Sequence, residues 1–252
     1  MTTQEINSIT NKSYWEDYYT NNYNKEHIIS VCSKYDMYWK ILIENNIKTP
    51  TNMIEIGGFP GRYLAYLASK YNLIPTCLDY NENIELSKFC FDEMDVKNYE
   101  LINVDFLNYE TKKQYDIVYS NGFIEHFQDY NKVLDKHVDY LISGGTMMIT
   151  VPNKRNFRYL FGLFFDRNNL KQHNTKCMKK EVFLEFAERN NLELVSFSYF
   201  GGFPFTVHQK LNFIQNIFYK PIRILFKKIN PFLEKHPNRF TCSLLICIVK
   251  KS

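Results

Sequence analysis

Apolar runs at 52–56, 74–79, 100–104, 115–120 and 145–151 alternate with helix-length segments that carry one polar face. That rhythm builds a parallel sheet with helices on both faces. Gly144-Gly145 supplies the turn into the fifth run, and Val151-Pro152-Asn153 ends it, because proline cannot donate to a sheet ladder. A sixth run, Leu192 to Phe200, follows a helix predicted from about Lys179 to Asn190, and the last begins at Ser243 and reaches Val249. Two helical stretches precede the sheet, a short aromatic one around 14–19 and a longer one from about His27 to Asn46, which together predict an N-terminal helical cap over 1–50. Segments 154–178 and 201–240 fall outside the alternation and exceed ordinary connections, so they are candidate lids and binding surfaces. The segment 207–230 reads as a basic amphipathic helix interrupted at Pro221, a pattern shared by core packing, a dimer face and a helix lying on a membrane surface.

At 252 residues, 45% hydrophobic and 23% charged, the chain has the composition of one globular domain rather than of a disordered or repetitive one. Six cysteines show no CxxC pair and no zinc spacing, and the polar N-terminus has no basic-then-apolar leader. No apolar run approaches the roughly 18 residues of a membrane span. These features predict reduced thiols and a cytoplasmic protein, monomeric or homodimeric. The net charge of +4 is unevenly placed: residues 201–252 hold nine Lys/Arg against one acidic residue. Such a bias fits a solvated helix face, and equally an attraction to an anionic acceptor or membrane surface.

Candidate chemistry begins after the first strand. Asn52 to Ile56 runs into Gly57-Gly58-Phe59-Pro60-Gly61 and then a helix from Arg62, so a ligand can approach backbone that no side chain obstructs. The next strand ends in Asp79, 18 residues after Gly61, where a carboxylate at a strand tip can accept hydrogen bonds from both ribose hydroxyls. The pattern is Glu55-x-Gly57-x-x-x-Gly61 rather than G-x-G-x-x-G, which disfavours a pyrophosphate-binding dinucleotide site.

With Ile54 to Gly61, Leu78-Asp79-Tyr80, Val104 to Leu107, the block Tyr115 to Phe127 and Gly144-Gly145 leading to Val151-Pro152-Asn153, the sequence resembles the class I S-adenosylmethionine-dependent methyltransferases over roughly residues 50–153. The resemblance implies a Rossmann-like, seven-stranded, mostly parallel sheet with an antiparallel last strand, and S-adenosylmethionine as cofactor. By that resemblance the turn with Gly57, Gly58 and Gly61 passes beneath the methionine part. Asp79 holds the ribose beside Tyr80, Asp105 and Phe106 meet the adenine, Asn121 offers its backbone, and Tyr14, Trp15 and Tyr18 cap the pocket. Asp105 as a helix cap and Trp15 as core filling are the structural alternatives. A second glycine usually stands where this chain has Phe59. The position three before Glu125-His126 is Gly122, so the resemblance implies no metal.

Methyl transfer asks mainly for alignment, because the methyl carbon is already activated by sulfonium. A neutral hydroxyl acceptor benefits from a base, for which His126 and His173 are the candidates. Asn153, Arg155 and Arg158, just past the carboxyl edge of the sheet, are candidate acceptor contacts, with Lys154 among them. A phosphorylated or carbohydrate-like acceptor suits them, including a phosphoramidate-bearing precursor of a surface polysaccharide. Methylation of a quinone-like or phenolic lipid precursor, and a non-catalytic cofactor-binding scaffold, are the competing readings. The chain after the fourth strand reads Asn121-Gly122-Phe123-Ile124, without the Pro-Pro-aromatic hook of base methylation, so no nucleic-acid partner is expected.

Overall fold

The seven apolar runs become β1 (Thr51–Ile56), β2 (Leu73–Asp79), β3 (Glu100–Asn103), β4 (Tyr115–Asn121), β5 (Leu141–Pro152), β6 (Leu192–Phe200) and β7 (Leu244–Lys251). In the computed structural model, which describes residues 8–10, 15, 19, 23–44 and 51–252, they form one sheet in the order β3-β2-β1-β4-β5-β7-β6. Strands β1 to β5 pair in parallel, whereas β7 lies antiparallel between β5 and β6. This is the expected Rossmann-like sheet with an antiparallel last strand. Its order reverses between β1 and β4, the place where open α/β sheets leave a crevice at their carboxyl ends.

Both faces of the sheet are buried, so alternate residues of a strand feed two separate cores. Ile54, Ile56 and Val118 face the layer that holds α5 (Tyr130–Val138) and α8 (Lys180–Arg189). Met53, Ile117 and Tyr119 face the layer of α1 (Lys25–Cys32), α2 (Asp36–Glu44), α3 (Arg62–Lys70) and α4 (Ile84–Glu93). Full burial of a large apolar side chain contributes on the order of 1.5–3 kcal/mol.

The helix predicted over His27 to Asn46 is broken at a 3-10 turn, Ser33–Tyr35. The Trp39 indole donates to the Cys32 carbonyl at 2.9 Å across this break, satisfying an end that the α-ladder leaves open. The turn brings Tyr35, Tyr38, Trp39 and Leu42 into one buried cluster on the sheet face, with the Trp39 ring 5.0 Å from that of Tyr119. Of the aromatic stretch predicted around 14–19, Tyr14 and Tyr18 lie outside the described residues.

The two segments outside the alternation fold against each other. Segment 154–178 supplies α6 (Asn156–Phe165) and α7 (Arg167–Lys171), and 201–240 supplies α9 (Phe213–Lys235). Phe161, Phe165 and Phe203 form a third small core under the inner side of α9, where Tyr219, Ile222 and Phe226 pack. The expected interruption at Pro221 does not occur: α9 runs unbroken through Pro221 and Pro231. Both prolines are exposed, so water can satisfy the carbonyls they leave without a partner. An Asn212–Gln215 capping box starts the helix.

His137 carries a pH liability in the sheet-facing layer. Its ring is completely buried against Phe106, its Nδ1 donates to the Val133 carbonyl at 2.7 Å, and Nε2 has no partner among the described residues. Burial lowers its pKa to about 4 from 6.5. Between those values the unfolded chain binds the proton and the folded one does not, so acid removes stability. The loss attributable to this ring totals about 3 kcal/mol. Denaturant titrations from pH 7 down to pH 4 should show it, and His137→Leu should flatten the slope while leaving stability near neutrality largely unchanged.

Candidate active site

Strand tips and the turns after them wall a cavity of about 490 Å³ at the switch point. At one end, β1 delivers Glu55 and the turn Gly57-Gly58. Gly57 has φ +67°, and a Cβ there would overlap the Phe123 ring; a Cβ on Gly58 would meet Glu55 Cγ at 2.9 Å and Cys77 Sγ at 3.0 Å. Both positions therefore exclude any side chain. Gly61, with φ +90°, does not line the cavity: it caps α3 from behind and rests on Phe91.

Asp79, at the tip of β2, accepts from Phe59 N at 3.2 Å through one oxygen and from Asn81 N at 2.9 Å through the other. The Tyr80 N–H is a further backbone donor to the same carboxylate, whose roughly four acceptor sites still leave room for a ligand. Burial raises its pKa above the usual aspartate value, and the backbone donors oppose that rise. Glu55 is buried beneath the turn, and one of its oxygens has no partner among the described residues. Burial pushes its carboxyl well above the usual range, Arg62 pulls it back and Asp79 adds to the rise.

Tyr80, Asp105, Phe106 and Asn121 line the same cavity. Asp105 accepts from Leu107 N at 2.9 Å and from the Asn108 amide at 3.0 Å, closing the turn after β3. It thus caps a turn and faces the cavity at once. The Asn121 side chain accepts a hydrogen bond from the Thr150 hydroxyl, which ties the end of β4 to β5. Trp15 lines the wall and sets its ring edge-on to His126, centroids 4.7 Å apart.

The other end is a cluster that the separation of its members in sequence concealed. His126 follows β4 and His173 follows α7, yet their ring centroids are 4.7 Å apart. His126 Nδ1 pairs with the Gln172 carbonyl at 2.9 Å and His173 Nδ1 with the Asn169 carbonyl at 2.7 Å. A carbonyl accepts only, so Nδ1 is the protonated nitrogen of each neutral ring and Nε2 the basic one. Burial first, then Lys154, lowers His173 to about 2; burial, with Lys154 opposing the charged form, lowers His126 to about 4. Glu125, buried alongside, is pushed up to about 8 by burial. Lys154 is itself brought down to about 8 by burial and Arg158.

Glu125, His126 and His173 bring three potential ligand atoms within 4.8 Å of one another, the one such grouping among the described residues. The adjacent Lys154 charge opposes a cation there. His208 and Asn169 complete this end of the cavity.

Three predicted acceptor contacts lie elsewhere. Asn153 is buried, and its amide donates to the Arg239 carbonyl at 3.0 Å and to Cys242 Sγ at 3.1 Å. The Arg158 guanidinium donates to the Thr206 carbonyl at 3.1 Å and lies 3.9 Å from Asp166, which ties the two lid segments together. Arg155 stands at the start of α6, outside the cavity wall. Of the basic residues that follow β5, Lys154 is the one that reaches the wall.

A family model described as a methyltransferase domain matches residues 32–197. This chain belongs to the class I S-adenosylmethionine-dependent methyltransferases. No curated protein matches the sequence. Among solved structures, the methyltransferase is similar in fold to a Thiobacillus denitrificans S-adenosylmethionine-dependent methyltransferase in complex with S-adenosylhomocysteine, with 12% identity, a TM-score of 0.57 and coverage of 87% of this chain and 91% of that one. It is likewise similar to a Geobacter sulfurreducens enzyme of the same description, with 11% identity, a TM-score of 0.53 and coverage of 94% and 96%. Coclaurine N-methyltransferase bound to N-methylheliamine and S-adenosylhomocysteine gives 15% identity, a TM-score of 0.57 and coverage of 87% and 72%.

The cavity suits the family's methyl donor at its first end: an open glycine turn, a strand-tip carboxylate with acceptor capacity to spare, and aromatic walls. Asp79→Ala should weaken S-adenosylmethionine binding about tenfold to hundredfold, the range of a charge-assisted hydrogen bond. Asp79→Asn, which keeps an oxygen for the Phe59 N–H, should lose less. Isothermal titration calorimetry on the two variants separates the sugar contact from anchoring of the turn.

Proposed function

We propose that this methyltransferase O-methylates a small acceptor that carries an anionic group, such as a phosphorylated or carbohydrate-like precursor of a surface polysaccharide. The observation that carries the reading is the pairing, in one wall, of neutral imidazoles with a buried lysine. S-adenosylmethionine supplies a methyl carbon already activated for displacement. What the chain must add is a seat for the acceptor and a destination for its proton.

Lys154 is the seat. A buried ammonium beside two neutral histidines and a carboxyl held largely protonated has unmet demand for an anion. A cationic amine acceptor would be repelled by the same group. His173 is the destination for the proton. As the acceptor oxygen gains the methyl carbon, its hydroxyl becomes an oxonium, a far stronger acid than even a depressed imidazolium. A weak base at Nε2 is therefore sufficient, and its low pKa keeps it in the receptive form across the physiological range. Binding of an anion at Lys154 also offsets the charge that depresses both histidines, so the acceptor raises the basicity of the group that serves it.

Steady-state kinetics on phosphorylated and neutral sugar alcohols test this reading. Lys154→Met should raise KM for the anionic acceptor about tenfold or more with a small effect on kcat, and His173→Gln should lower kcat about a hundredfold. In the parent enzyme KM for the anionic acceptor should climb as pH rises through about 8, where Lys154 loses its proton and Glu125 gains charge. That dependence should vanish in Lys154→Met. An unchanged KM for the anionic acceptor in Lys154→Met, or neutral alcohols turned over as well as anionic ones by the parent, would remove the anionic acceptor.

A further inference from the structure

Fourteen of the nineteen exposed large apolar side chains among the described residues fall in 154–178 and 201–240, the segments that form the lid. No residue of α9 is buried along its 23 positions. One side packs on the small third core, through Tyr219, Ile222 and Phe226, with the Phe226 ring stacked on Phe203 at 4.1 Å. Another side turns Phe213, Ile217, Phe218 and Phe232 to solvent, at 80%, 54%, 53% and 64% exposure. Helical spacing puts Lys220, Arg223 and Lys227 along the remaining side. A helix that is apolar outward and basic along its flank has the make-up of one lying in a membrane interface.

The outward face extends across both lid segments. Phe164 of α6 touches Phe218 of α9, ring centroids 6.0 Å apart, and the Gln215 amide donates to the Phe164 carbonyl at 2.5 Å. Leu160, one turn before Phe164, is 63% exposed. Monomeric proteins rarely present so large a contiguous apolar surface without a partner for it.

Charge decides between partners. Residues 201–252 hold nine Lys/Arg against Glu234 alone, and in 154–178 the single acid, Asp166, is buried and paired with His208 at 3.0 Å. Two copies meeting through this face about a two-fold axis would set like charges against each other. A surface of anionic lipid headgroups complements both the apolar face and its basic margin. No helix among the described residues is long and apolar enough to cross a membrane, so the contact is peripheral.

We infer that the outer face of α6 and α9 docks the enzyme on an anionic bilayer. Docking of this face requires neither the acceptor nor turnover.

Co-sedimentation of the full chain with vesicles of phosphatidylcholine plus phosphatidylglycerol, beside vesicles of phosphatidylcholine alone, is the test. Binding should be about tenfold or more tighter to the anionic vesicles and should weaken as salt is raised, since each basic residue near such a surface contributes about fivefold. The double variant Ile217→Asp, Phe218→Asp should bind at least about tenfold more weakly, with thermal unfolding and S-adenosylmethionine affinity unchanged. Phe213→Trp should shift its emission to the blue on anionic vesicles. Absence of co-sedimentation at low salt overturns the inference, and equal binding to both vesicles overturns its charge argument. A dimer in solution that the double variant splits into monomers assigns the face to a second copy instead.

Discussion

The carboxylate at the tip of β2 anchors the glycine-turn end of the cavity. Asp79 accepts the Phe59 N–H from the turn after β1 and the Asn81 N–H from its own loop, so two separate connections are fixed to one strand end. That anchor adds to the bonds of Gly57 N and Gly58 N, which both donate to the Leu78 carbonyl, in removing the conformational freedom that glycine brings to a chain. With it, the turn is held flat against the strand tips, and the Phe123 ring and Cys77 close the space from the other side. The substitution of Phe59 for the family's usual glycine is accommodated in the same way. Its backbone makes the bond to Asp79, while its ring is buried, edge-on to Tyr19 at 4.7 Å.

The two ends of the cavity use burial for opposite purposes. Around Glu55 and Asp79 burial raises carboxylate pKa values, so these groups gain most when a ligand donates hydrogen bonds to them. Around His126, His173 and Lys154 burial lowers the pKa values of bases. One wall is lined by carboxyls that favour hydrogen-bond donors and the other by bases held neutral or barely charged, so the cavity is polarised along its length.

The sheet was legible because its two buried faces turn every central strand into an apolar run, a signal no surface strand gives. Asp79 and Asp105 were legible because strand tips can be counted from such runs. The acceptor end was harder to read. His126 and His173 meet only because the 3-10 turn Ile124–His126 and the chain after α7 are tied together, Asn174 N donating to the Glu125 carbonyl, and no periodicity encodes that return. Arg158 carried the right charge at the right distance from β5, but within a helix its side chain turns inward to Asp166 and Thr206, and Lys154, four residues earlier, faces the cavity. Proline led to the wrong expectation in α9, because the rule that it breaks helices assumes that the lost hydrogen bond lies in the interior.

The lid has two sides that constrain each other. Its inner side is a core of only three buried phenylalanines with a fringe of half-buried neighbours. That is too little apolar burial to make the lid a folding unit by itself. It is therefore held by specific polar ties, Arg158 to Thr206 and Asp166 to His208 from the 154–178 segment and Asn153 to Arg239 from the end of β5, each reaching the segment beyond 200. Two of these ties run beside groups that line the cavity, since His208 is bound to Asp166 and Lys154 lies between Asn153 and Arg155 in sequence. The Asp166–His208 pair also meets the Asn169 amide, and the Asn169 carbonyl accepts from His173 Nδ1, so the polar ties that hold the lid end on the imidazole that lines the cavity.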